Sequence, residues 1–103
     1  MEGSNWIIII EDLAQLDLDE VYKWYEARKP GLGEEFLDSL EDSFIRIKAN
    51  PLHASLFGDM VRCATLKRFP YEVVYLINNL TSIVYVIAIN HQHRKPGWFN
   101  KRT

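Results

Sequence analysis

After Met60 the chain has a single acidic residue, Glu72, against seven Lys and Arg. The scarcity is local: residues 1–60 hold thirteen Asp and Glu against five Lys and Arg, and the whole chain carries a formal −2. The C-terminal part is therefore expected to present a basic surface to something anionic, nucleic acid or an acidic protein segment, while the acidic part reads as two solvated helices. Cysteine is almost missing too. Cys63 stands alone, which excludes an intramolecular disulfide, and no Cys and His fall at structural-zinc spacing. The N-terminal apolar run, Trp6 to Ile10, is far short of the roughly 20 residues that span a bilayer, and Met1 to Asn5 lacks the basic start and cleavage site of a signal peptide. A cytoplasmic protein with no membrane segment is expected. No repeat or low-complexity stretch divides the 103 residues, and 48% apolar residues with 13% aromatics suffice for one core, so residues 1–103 are expected to form one domain.

What is present is organised around residues 69–90, FPYEVVYLINNLTSIVYVIAIN. Tyr71 to Ile77 and Ile83 to Ile89 are rich in β-branched and aromatic side chains and do not alternate with polar ones, the pattern of strands covered on both faces in the middle of a sheet. Asn78-Asn79 between them predicts a tight turn, because Asn tolerates positive φ. Trp6 to Ile10 reads as a first strand. From Asp12, Leu13, Leu16, Val21, Trp24 and Tyr25 recur at helical spacing, with Asp12 and Gln15 resembling a capping box and Pro30-Gly31 ending a helix over about 12–29. A second helix runs from Leu32, marked by Phe36, Leu37, Leu40, Phe44 and Ile47, to the Asn50-Pro51 stop. The short break makes the two helices an antiparallel hairpin whose apolar face needs a sheet. Residues 51–60 lack any period and read as a surface connection, and Val61 to Phe69 reads as a further strand before Pro70. The expected fold is α+β, strand, helix, helix, strand, strand, strand, with the helical hairpin on an antiparallel-dominated sheet of about four strands.

Ala14-x-x-Asp17-Leu18-x-Glu20-x-x-x-Trp24-Tyr25, PGLGEEFL at 30–37, RFPYEVVY at 68–75 and His91-x-x-Arg94-x-Pro96 with Trp98 occur in this order. Together they resemble the RelE/ParE superfamily of toxins from bacterial toxin–antitoxin operons, in particular the branch often labelled plasmid stabilisation proteins, over about residues 6–102. The resemblance implies two helices packed on an antiparallel sheet. It also implies a growth-inhibiting toxin neutralised by a co-expressed antitoxin, whose acidic, partly disordered segment is expected to fold onto the basic half. Members resembling ParE act on DNA gyrase and need no cofactor; those resembling RelE cut messenger RNA on the ribosome. A pI near 5.9 favours the gyrase-directed or inactive branches, since docking to ribosomal RNA calls for a basic protein. A non-toxic relic that only binds antitoxin is a third reading, and a homodimer or a heterotetramer with antitoxin is compatible with all three.

For a ribonuclease of the RelE kind, Arg62 and Arg68 are candidate phosphate clamps, Lys67 a candidate base, and His91 or His93 a candidate proton donor beside Arg94. For a gyrase- or antitoxin-binding surface the candidates are Arg62, Lys67, Arg68, His91, Arg94 and Trp98. Each also has a structural reading. Arg62 and Arg68 lie at opposite ends of one expected strand and can pair with acidic helix residues. His91 and His93 would share a face of an extended chain, a metal-compatible geometry without an evident third ligand, so no metal is expected. Trp98 and Phe99 are expected to pack the tail onto the sheet, Tyr71 and Tyr75 to be core aromatics, His53 to be ordinary surface, and Lys101-Arg102 to be a solvated terminus.

Overall fold

A computed structural model describes residues 6–95 and 97–103. Met1 to Asn5 and Pro96, the last residue of the H-x-x-R-x-P motif, lie outside the described residues. The elements are β1 (Ile7–Ile10), α1 (Asp12–Arg28), α2 (Leu32–Ala49), β2 (Ser55–Phe57), β3 (Val61–Thr65), β4 (Tyr71–Asn78), β5 (Ile83–His91) and a terminal 3₁₀ helix, Trp98–Arg102. They form one five-stranded sheet in the order β1-β5-β4-β3-β2, with β1 parallel to β5 and the other pairs antiparallel. The apolar hairpin β4–β5 is therefore central, as its unbroken hydrophobicity requires.

One face of the sheet carries the helices. Ala14, Val21 and Tyr25 of α1 and Phe36, Leu40 and Ile47 of α2 bury against Val73, Tyr75, Val84, Val86 and Ile89. Each large side chain so buried contributes on the order of 1.5–3 kcal/mol. Tyr25, Phe36, Phe69 and Tyr71 meet edge-on or tilted, with ring centroids 5.0 to 6.2 Å apart. The other face holds Val61, Val74, Ile87 and Ala88, and the 3₁₀ helix covers it by inserting Phe99, which is 1% exposed. The tail thus packs onto the sheet as its aromatics led us to expect.

Four local expectations are corrected. Ser55–Phe57, read as part of a surface connection, is a fifth strand, antiparallel to β3; three residues at a sheet edge leave no apolar run to detect. The central turn is not built on Asn78-Asn79 alone: Asn78 ends β4 and its Oδ1 accepts from the N–H groups of Leu80 and Thr81, at 3.0 and 3.2 Å, while the positive φ falls on Ser82. The side-chain oxygen thereby does the work assigned to a two-residue turn. The strand starting at Val61 stops at Thr65, because Arg68 takes φ 73° and turns the chain. Finally, α1 has no side-chain N-cap: Glu11 precedes it in an extended conformation, and Gln15 instead donates to Asp19 Oδ1 at 3.0 Å.

The turn between the helices shows why PGLG is required. Gly31 has φ 92°, a conformation costly for residues with a Cβ, and a Cβ on Gly33 would lie 2.8 Å from the Tyr22 ring. The Glu26 carboxylate accepts from both amides, at 3.0 Å each, and locks the turn.

Candidate functional site

Two turns meet at one end of the sheet. The β3–β4 turn carries Lys67 and Arg68, and the segment after β5 carries His93, Arg94 and Lys95. The Gln92 N–H donates to the Pro70 carbonyl at 2.9 Å, and Tyr71 lies opposite His91 in the ladder. These two contacts bring the RFPY and H-x-x-R segments side by side. Lys67, Arg68, Arg94 and Lys95 are exposed there. Arg68 is engaged by Glu35 of α2 at 2.7 Å, an ion pair so open to solvent that it contributes about 0–1 kcal/mol. The pairing of Arg68 with an acidic helix residue expected from the charge pattern is thus present.

Arg62 is elsewhere. It projects from β3 toward the helices and donates through Nη1 to the carbonyls of Leu52 and Ala54, at 2.9 and 2.7 Å. No carboxylate pairs with it among the described residues. Beside it, the Tyr75 hydroxyl donates to the buried Pro51 carbonyl at 2.6 Å, and burial pushes its pKa up to about 12. Together these two side chains clamp the irregular chain between α2 and β2.

The histidines do not share a face of an extended chain. His91 closes β5 and packs edge-on against Tyr71 at 4.9 Å; the chain then turns, and His91 Nδ1 accepts the His93 N–H at 3.0 Å. The two rings sit at 78° to each other, 5.3 Å apart. Among the described residues, no three His, Cys, Asp or Glu side chains come together so as to hold a metal ion.

Trp98 is fixed on the other face of the sheet. Its indole Nε1 donates to Asn90 Oδ1 at 2.6 Å, and Asn90 Nδ2 donates to Glu72 Oε2 at 2.7 Å. Arg94 and Arg102 lie over its ring, 3.8 and 4.6 Å from the centroid, cation–π contacts that add about 0.5–1 kcal/mol for the exposed Arg94 and up to about 2 kcal/mol for the more buried Arg102. Arg94, exposed to solvent, is thereby held over the Trp98 ring. Arg102 is not a solvated terminal residue: its side chain is 19% exposed and pairs with Asp17 of α1 at 2.7 Å. Burial, with the Glu72 charge second, pushes the Cys63 thiol up to about 12, which disfavours the reactive thiolate.

Of the residues read from sequence, the fold brings Lys67, Arg68, His91, His93 and Arg94 to one end of the sheet, with Trp98 anchoring Arg94 from the outer face. Arg62 is not among them. Sequence reasoning missed the polar anchors Asn90 and Glu72 and the Asp17–Arg102 pair. A polar residue at the end of an otherwise apolar strand was the only signal for Asn90.

A helical hairpin on one face of a five-stranded, mostly antiparallel sheet, with a cationic end, defines a small two-layer α+β fold. The model of the ParE toxin of type II toxin–antitoxin systems, parDE, matches residues 8–96. The chain belongs to that family. A solved structure of a chromosomal ParDE toxin–antitoxin system from P. aeruginosa has the same fold, with a TM-score of 0.72 at 15% identity over 85% of this chain and 97% of that one. No curated protein matches the sequence. No helix among the described residues is long and apolar enough to cross a membrane.

Proposed function

We propose that this chain acts in the cytoplasm as a single-domain toxin that blocks growth by binding DNA gyrase, and that a cognate antitoxin neutralises it. The observation that carries this reading is the convergence of Lys67, Arg68, Arg94 and Lys95 at one end of the sheet, on turns tied together by the Gln92–Pro70 hydrogen bond. These cations stand on ordered turns, with Arg94 held over Trp98, which suits recognition of a charged protein surface better than transient attraction. An acidic antitoxin segment folding over the same end would mask it.

The ribonuclease reading has less support. Its proposed clamp, Arg62, faces the helices and directs Nη1 to two backbone carbonyls. The outer face near Trp98 presents the Glu72 carboxylate, which opposes the charge of a phosphorane.

The test is gyrase supercoiling with purified full-length protein. Inhibition with accumulation of a cleaved DNA complex is expected, and Lys67→Glu with Arg94→Glu should weaken it at least about tenfold, since each reverses a charge at a contact. Growth arrest with unimpaired gyrase and codon-positioned cuts in translated messages would replace this reading with the ribonuclease. No arrest on expression without antitoxin would leave the relic. Antitoxin affinity should fall as salt rises from low to moderate ionic strength.

A further inference from the structure

The edge of the sheet formed by β1 is Ile7-Ile8-Ile9-Ile10, and among the described residues no strand pairs with its outer side. It carries none of the usual protections of an edge: no charge, no proline, and no bulge in its pairing with β5. Ile7 and Ile9 point to the sheet's outer face and are 57% and 40% exposed. On the helix side, a groove runs between β1 and α2, lined along β1 by Ile8 and Ile10 and along α2 by Glu41, Phe44, Ile45 and Lys48. Ile45 is 62% exposed.

The order of the α2 residues identifies the occupant. Glu41, Phe44, Ile45 and Lys48 form an i, i+3, i+4, i+7 stripe with an acid at one end, a base at the other and apolar side chains between. A two-fold axis through the middle of such a stripe sets Glu41 against Lys48 of a second copy and Lys48 against its Glu41, with Phe44 and Ile45 meeting their counterparts. The same axis, passing through β1, pairs that strand with itself antiparallel; a register centred on Ile8 sets Ile7 against Ile9 of the second copy on the outer face. We propose that this edge is a homodimer interface, joining two sheets into one ten-stranded sheet through β1 with α2 flanking α2. An acidic peptide fits it poorly, because Glu41 lines the groove and Glu11 and Asp12 follow β1 directly in the chain. The surface lies on a different part of the fold from the basic end and does not depend on what the toxin acts on.

Charge reversal tests the geometry. Glu41 and Lys48 are exposed, so Glu41→Lys and Lys48→Glu leave the monomer folded, which thermal melting verifies. In sedimentation of the full chain made by cell-free synthesis, the wild type should be dimeric. Each single variant places like charges at both symmetric contacts and should dissociate at least about tenfold more readily. An equimolar mixture of the two variants should regain wild-type association, because the heterodimer restores both opposite-charge contacts; the doubly exchanged protein should do so alone. A wild type that stays monomeric at high micromolar concentration overturns the proposal. So do single variants that associate as tightly as wild type, or a mixture no tighter than its components.

Discussion

The carboxylate of Asp17 and the guanidinium of Arg102, separated by 85 residues in sequence, meet in a two-pronged pair, with Nη1 at 2.7 Å and Nη2 at 3.3 Å. They sit where β1 ends. Glu11 donates the last ladder bond, to Val86, and beyond it β5 has lost its neighbour on that side. The extra residue of the β5 bulge, Ile87, then turns its carbonyl to Arg102 at 2.9 Å, and the Ile89 N–H is taken by Asp17 at 3.1 Å. Two side chains thus complete a sheet edge that lacks a strand.

Removing either should therefore cost more than a surface ion pair. Asp17→Ala and Arg102→Ala are each expected to lower stability by about 2–3 kcal/mol in urea unfolding, because a largely buried charge and a backbone group lose partners. Amide exchange separates them: Ile89 should exchange faster in Asp17→Ala than in Arg102→Ala. Changes within about 0.5 kcal/mol would show that the pair supports nothing.

The helical turn gives a second prediction. Gly33→Ala drives a Cβ into the Tyr22 ring and should destabilise by about 1–3 kcal/mol, whereas Gly31→Ala meets open space and should cost about 1 kcal/mol through its left-handed backbone alone. Thermal melts that rank Gly31→Ala as the worse change would contradict this assignment of the two glycines.

Arg62 and the basic end should respond in opposite ways. Arg62→Ala and Tyr75→Phe release the chain between α2 and β2 and should each lower stability by about 1–2 kcal/mol, with gyrase inhibition per folded molecule unchanged. Arg94→Ala should leave the melting temperature within a few degrees of wild type and reduce inhibition. Denaturant curves and supercoiling assays on the same preparations decide it.

Alkaline pH supplies the fourth. Cys63 is raised from 9.0 to about 12 and Tyr75 from 10.0 to about 12, chiefly by burial. Both hold their protons more tightly folded than unfolded, so their contribution is complete below pH 9 and is lost as pH rises from 9 towards 12. Stability should fall over that window, less so in Cys63→Ala, and Cys63 in the folded protein should resist alkylation at pH 8. Rapid labelling without unfolding would contradict the burial of this thiol.

Much of the fold is written locally. The 3.6-residue period of α1 and α2, the Pro30-Gly31 break and the unbroken apolar runs of β4 and β5 each concern neighbours in the chain, and physics acting over a few residues reads them correctly. The family motifs add the arrangement of helices on sheet. What could not be read was set by partners distant in sequence. β2 exists because β3 offers it an edge, and its three residues have no pattern of their own. Arg62 and Arg94 are both arginines in a basic half, yet tertiary structure turns one inward as a clamp for carbonyls and holds the other, exposed to solvent, over Trp98. Arg102, near the end of the chain, belongs to the sheet because β1 stops at Ile10 and leaves a gap that only a side chain from outside the strand can fill. Periodicity and composition decide which segments become helix or strand, since those depend on local geometry and burial. Which charges are spent inside the molecule and which remain for a partner is decided by where unsatisfied backbone groups fall once the sheet is assembled.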